Sequence, residues 1–283
     1  MGEIYNSDFS KIEIIHRETL REMEMYLHFH NSYEMIYIKS GKATFKINEK
    51  VYNAEPGSII FLSNLEKHEL KVTQYPYERY FMLINPDYLL SEIKNPVLSS
   101  VFRHRPEHFT HMLKLSDESD RYIETIINNM TDEFSNKKEQ YEVSLISLLS
   151  LLLVQLYRNY SSFFPMAVVN KTTATILDIQ KYIDENSQNR LNLKEIANKY
   201  YIDMYYLSRI YKSVTGYSFK EYIILQRISN AKNFLYFTTE DITQVGLHSG
   251  FNNTNHFIKL FKKYEGITPY QYRKQILMQK NEG

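Results

Sequence analysis

LKEIANKYYIDMYYLSRIYKSVTG, residues 193–216, returns in altered form as ITQVGLHSGFNNTNHFIKLFKKYEG, residues 242–266. Ile196-Ala197 corresponds to Val245-Gly246, in each case an apolar residue followed by a small one. Leu207, Arg209, Tyr211, Lys212 and Gly216 correspond fifty residues later to Phe257, Lys259, Phe261, Lys262 and Gly266, with one extra residue in the second turn. The spacing predicts a short helix, a tight turn and a second, capped helix in each copy. The small residue lets the two helices approach closely, the helix-turn-helix pattern. An apolar stripe on each second helix (Leu207, Ile210, Tyr211; Phe257, Leu260, Phe261) faces inward. The opposite face carries Tyr205, Ser208, Arg209 and Lys212 in one copy, and Thr254, Asn255, Lys259 and Lys263 in the other. Arg, Asn, Ser and Lys hydrogen-bond base edges and phosphates in a major groove. A solvated helix face would carry such residues too, but basic Arg209 and Lys259 at matching positions of a repeat favour a nucleic-acid role. The intervening segment 222–235, YIILQRISNAKNFL, predicts a helix that lets both readers lie on one side of a duplex.

Working outward, the charge agrees. From residue 171 onward the chain has 16 Lys and Arg against 10 Asp and Glu; the preceding part has 18 against 23. A basic C-terminal part beside an acidic N-terminal part points to a polyanion met by the C-terminal end. The 283 residues are 43% hydrophobic and 24% charged, enough for two domains with real cores. Absence of cysteine excludes disulfides and thiolate metal sites and fits a reducing interior. The N-terminus has no apolar signal region, and the most apolar run, 146–156, is about half of what a membrane-spanning helix needs. The expectation is a cytoplasmic protein with no membrane partner.

Residues up to 85 read as strands. IYIKSG, KATFKINEKVYNA, SIIFLSN, HELKVTQY and ERYFMLIN are β-branched and aromatic runs punctuated by Gly41, Asn48, Pro56-Gly57 and Asn64. Such spacing predicts an antiparallel barrel or sandwich. Residues 117–134 and 138–160 have apolar residues three and four apart and predict amphipathic helices. In the second, Val143, Ile146, Leu149, Leu152, Leu153 and Leu156 form a broad face suited to the barrel and to a second subunit. Residues 161–173 lack periodicity, contain Pro165 and read as a linker. Beyond it Asn192 with Glu195, and Thr238 with Asp241, resemble capping boxes, Thr268-Pro269 marks a helix start, and Gly216 and Gly266 mark helix ends.

At this point the chain resembles a known family. SRIYKSVTGYSFKEYI, followed by QR, A, FL and then GFNNTNHFIKLFKKYEGITPYQYR, looks like the double helix-turn-helix of AraC/XylS-type transcription regulators over about a hundred contiguous residues. The resemblance implies that Tyr205, Ser208 and Arg209, and Thr254, Asn255 and Lys259, face bases, with Lys212 and Lys263 nearer the phosphates. The chain departs from the pattern at Tyr201, in a turn position usually held by Gly, at Asp203 for the usual Ser cap, and at His256 for a usual Tyr. If Tyr201 takes positive φ the strain costs about 1 kcal/mol.

The N-terminal strands carry a second resemblance. HFHNSYEMIYIKSG, 28–41, has the form H-x-H-x3-E-x6-G of the first motif of the cupin barrel, and PGSIIFLSNLEKHEL offers His68 as a fourth ligand. His28, His30 and Glu34 share parity on extended backbone. In metallocupin enzymes such a set holds iron, manganese or nickel. The second motif is degenerate here, with His68 eleven residues after Gly57. Regulators of the resembled type commonly keep such residues as structural or effector-contacting groups. We therefore expect effector contact from His28, His30, Glu34, His68 and Tyr80, with no metal, cofactor or catalytic residue assigned. The bland alternative is that each His merely satisfies a neighbouring backbone group.

The expected fold is α+β with two domains. Residues 1–160 form a cupin-like antiparallel β-barrel with dimerisation helices, and 174–283 an all-α double helix-turn-helix domain. The expected partners are double-stranded promoter or operator DNA, a small-molecule effector such as a sugar, a second copy of the chain and RNA polymerase. A metal-dependent cupin enzyme and a regulator without an effector are the rival readings.

Overall fold

The computed structural model describes residues 11–165 and 171–282. These divide into two compact units, residues 11–104 and 108–165 in the first and residues 105–107 and 171–282 in the second. Within the segment read as a linker, Ser161–Phe163 form a 3-10 turn and Phe164 is buried in the core of the first unit. Residues 166–170 lie outside the described residues, and a helix starts at Lys171.

The first unit contains strands β1 (Ile12–Thr19), β2 (Glu24–His28), β3 (Tyr33–Ile47), β4 (Lys50–Ala54), β5 (Ser58–Leu62), β6 (His68–Ile84) and β7 (Met112–Lys114). Every pairing is antiparallel, in the order β1-β6-β3-β5-β7, with β2 also on β6 and β4 also on β3. Helices α1 (Pro86–Glu92) and α2 (Pro96–Arg103) precede β7, and α3 (Asp117–Asn136) and α4 (Tyr141–Asn159) follow it. The expected antiparallel β domain with amphipathic helices is present.

The strands differ from expectation in one respect. Gly41 was expected to end a strand, yet β3 runs through it for 15 residues, and β6 is continuous for 17. The ladder between them shifts register between Ile38 and Ala43, so the strands bend there without breaking. Gly41 sits at the bend with φ of 74°, where an added Cβ would lie 2.5 Å from the carbonyl oxygens of Gln74 and Pro76. Only glycine lets the two backbones meet this closely.

Alternation gives the sheet two faces. Tyr33, Met35 and Tyr37 of β3 join Tyr80, Met82 and Ile84 of β6 and the buried leucines of α4 in one apolar core. The other parity, with Glu34, Ile36 and Ile38 paired to Leu83, Phe81 and Arg79, looks away from those helices and is buried all the same. The sheet therefore curls over this second face. On α4, Leu145, Leu149, Leu152, Leu153 and Leu156 are buried. At 19 residues α4 is longer than its most apolar run, and it is the one described helix long and apolar enough to cross a membrane by length and composition.

The second unit is helical: α5 (Lys171–Asn186), α6 (Leu193–Lys199), α7 (Met204–Thr215), α8 (Phe219–Phe237), α9 (Ile242–His248), α10 (Thr254–Glu265) and α11 (Pro269–Glu282). Helix α8 packs against α5, α7, α9, α10 and α11. Two polar ties brace it. The Tyr222 hydroxyl donates to Asp184 at 2.7 Å, and Arg227 donates to the carbonyls of Ser187 and Asn189 at 2.8 and 2.9 Å. Asp241 caps α9 itself, accepting from the Gln244 N–H, whereas Thr238 closes α8; the two do not form the expected capping box. Thr268 and Gln271 do cap each other reciprocally at the start of α11.

Candidate functional site

The two repeats fold alike, and the reasons are local. Asp203 accepts from the Tyr206 N–H and Asn253 from the His256 N–H, both at 2.9 Å, so each second helix starts on a side-chain cap. Each ends at a left-handed glycine, Gly216 or Gly266. Leu207 and Tyr211 in α7, and Phe257 and Phe261 in α10, are wholly buried at matching positions. The small residue of the second copy is required by space: a Cβ on Gly246 would lie 2.8 Å from Cδ1 of Phe257. Tyr201 does adopt positive φ, 54°, and its side chain is 97% exposed.

With those stripes buried, the opposite faces are outward. Tyr205, Ser208, Arg209 and Lys212 on α7 are exposed, as are Asn255, Lys259 and Lys263 on α10, while Thr254 is half-buried. Lys263 lies 5.4 Å from the centre of the Tyr264 ring. Both faces can offer cationic and hydroxyl or amide donors to phosphates and base edges.

The second cluster lies in the β unit. His28 of β2 is directly opposite His68 of β6 in the ladder, their ring centres 4.2 Å apart. His30 is 5.2 Å from His68, ring to ring. Potential ligand atoms of the three histidines all lie within 4.8 Å of one another. Glu34 Oε2 lies 3.1 Å from His30 Nε2 and 3.4 Å from His68 Nε2. Burial alone would raise the Glu34 pKa, but hydrogen bonds and charge from His30 and His68 bring it well below the usual carboxylate range. His68 Nδ1 lies 2.8 Å from the Glu66 carbonyl, to which it donates, leaving Nε2 directed toward Glu34. The donor set of three imidazoles and a carboxylate fits a divalent transition metal.

Tyr80 is not brought into this cluster. It has the opposite parity on β6, stacks on His16 at 4.5 Å and belongs to the core beneath the helices. The sequence reading also missed a buried relay beside the cluster. His111 Nε2 lies 2.9 Å from Glu66 Oε1, and its Nδ1 lies 2.9 Å from the Tyr52 hydroxyl.

Residues 14–153 match the AraC-like ligand binding domain, and residues 196–275 match a helix-turn-helix domain. The chain belongs to the AraC family. The melibiose operon regulatory protein of Escherichia coli (strain K12) is 23% identical over 260 residues, covering 87% of this AraC-family chain and 83% of that protein. Regulatory protein PocR of Salmonella typhimurium (strain LT2) is 31% identical over 96 residues, 34% of this chain; the chain spans only 32% of PocR's length. In fold, apo ToxT K231A of Vibrio cholerae strain SCE256 superposes with a TM-score of 0.62 at 15% identity, covering 96% of this chain and all of that one. Both AraC-family domains are therefore present, a ligand-binding domain and a DNA-binding helix-turn-helix domain, as in a transcription regulator.

Proposed function

We propose that this regulator reads operator DNA through Arg209 and Lys259, with Tyr205, Ser208, Thr254 and Asn255 beside them and Lys212 and Lys263 toward the phosphates. The observation that carries this reading is the equivalent exposure of Arg209 and Lys259 on two capped helices whose opposite stripes bury Leu207 and Tyr211, and Phe257 and Phe261, completely, with Ile210 and Leu260 half-buried. The effector contacts are His28, His30, Glu34 and His68, which converge in a buried part of the ligand-binding domain. A relative named for the melibiose operon makes a sugar the first class to try. The effector acts by binding one arrangement of the protein better than another, since only differential affinity shifts such a balance. The protein works in the cytoplasm as a dimer.

Fluorescence anisotropy with operator DNA tests the readers. Affinity falls steeply between 50 and 200 mM salt, as it does for proteins neutralising several phosphates. The Arg209→Ala, Lys259→Ala double variant loses its preference for operator over random DNA. Retention of full preference in that variant would refute the assignment. Metal analysis of the purified protein addresses the other use of the histidines: stoichiometric metal that disappears in His28→Ala would replace direct effector contact by metal binding.

A further inference from the structure

Arg79 lies in β6 between Tyr77 and Phe81, on the face turned away from the helices. It is 2% exposed, among the largest fully buried side chains of the protein. Its guanidinium lies 5.3 Å from the ring centre of Tyr77 and 5.5 Å from that of Phe81. Two of its N–H groups reach sulfur: Met23 Sδ at 3.5 Å and Met25 Sδ at 3.8 Å. Among the described residues it has no carboxylate partner. Thioethers are weak acceptors, so five strong donors are poorly answered. The Tyr77 hydroxyl beside it is also buried and has no acceptor for its proton among the described residues. Arg17 of β1 stands directly across the ladder from Arg79, and its guanidinium lies 5.8 Å from the same Phe81 ring.

A buried guanidinium without a counter-charge is costly. The mismatch disappears if an anion enters. The guanidinium fork matches the two oxygens of a carboxylate, and the Tyr77 hydroxyl adds a third donor to the same group. Phe81, and Ile38 directly opposite Arg79, supply apolar surface for the rest of such a molecule. The half-buried side chains of Met23 and Met25 are flexible enough to give way to it.

We propose that Arg79 and Tyr77 anchor the carboxylate of an acidic small-molecule effector. This rests on the effector-binding reading above and names the chemical class of the effector.

The test is thermal denaturation of the full chain and of Arg79→Met, Arg79→Lys and Tyr77→Phe. Two pairs of probes differ in charge: benzoate against benzamide, and galacturonate against galactose. A carboxylate that binds this site at about 100 times its Kd raises Tm by roughly 5–10 °C, and its neutral partner does not. Arg79→Met abolishes that rise, and Arg79→Lys and Tyr77→Phe weaken binding by roughly 10-fold or more. Without any probe, Arg79→Met melts higher than the parent, because an uncompensated buried charge has been replaced by an apolar chain of similar length. An unliganded Arg79→Met that melts lower marks Arg79 as a structural residue and overturns the proposal. If galactose stabilises the parent as well as galacturonate does, and Arg79→Met keeps both effects, the effector reading stands and the carboxylate is refuted.

Discussion

Burial as deep as that of Glu34 would ordinarily drive a carboxyl toward its protonated form, and the imidazoles of His30 and His68 reverse the outcome. Because its pKa is lower in the folded chain than in the unfolded one, Glu34 stabilises the fold fully above the unfolded value of about 4.3 and loses that contribution as pH falls below it. Urea midpoints measured from pH 7 down to about 3 fall more steeply for the parent than for Glu34→Gln, which has no proton to take up. Equal slopes would mean that Glu34 has the same pKa in the folded and unfolded chains. Sequence shows part of this residue-scale chemistry. The parity of His28, His30 and Glu34 is visible within one segment, and so is the counterpart His68. Tyr80 was misplaced because parity within β6 does not say which face meets Glu34; that follows only from the ladder, in which Leu83 stands opposite. Arg79 had a visible sign, a cation sharing parity with Phe81 and Leu83, but without the register nothing marked that parity as buried.

At the scale of elements, the helix-turn-helix units were the most legible, because caps, glycine stops and apolar stripes are local properties that recur in two copies. The long strands were less so. Gly41 reads as a turn in one dimension, and its role as a close crossing of two strands needs Gln74 and Pro76 beside it. Helix α4 was read correctly as amphipathic, with the split of its apolar residues unresolved. Leu145, Leu149, Leu152, Leu153 and Leu156 pack inward, while Val143 is 58% and Leu151 is 38% exposed with Ser147 between them on the same stripe. This outward stripe is the dimer contact we propose. Analytical ultracentrifugation of the Val143→Glu, Leu151→Glu variant gives a monomer at concentrations where the parent is a dimer; an unchanged sedimentation coefficient would move the contact elsewhere.

For the whole molecule, charge asymmetry and the repeat were enough to place the DNA-binding half, since both survive without any knowledge of register. The two units differ in how far along the chain their contacts reach. In the sheet, Ile12 pairs with Ile84 and Ile47 with His68, whereas α6 packs on α7 and α9 on α10, close neighbours in the chain. Folding slows as contacts span more of the sequence. Refolding from urea, followed by stopped-flow fluorescence and circular dichroism, therefore shows helix gained in a fast phase and the sheet in a slower one; a single shared phase would mean that the units fold as one. Synthesis on the ribosome reverses that order. The residues of β6 emerge long before α11, and making residues 171–282 takes roughly 6–20 s, ample time for a sheet that closes in milliseconds to seconds. The long-range pairing of β1 with β6 thus has a temporal meaning: the sensing half is complete before the half that grips DNA exists.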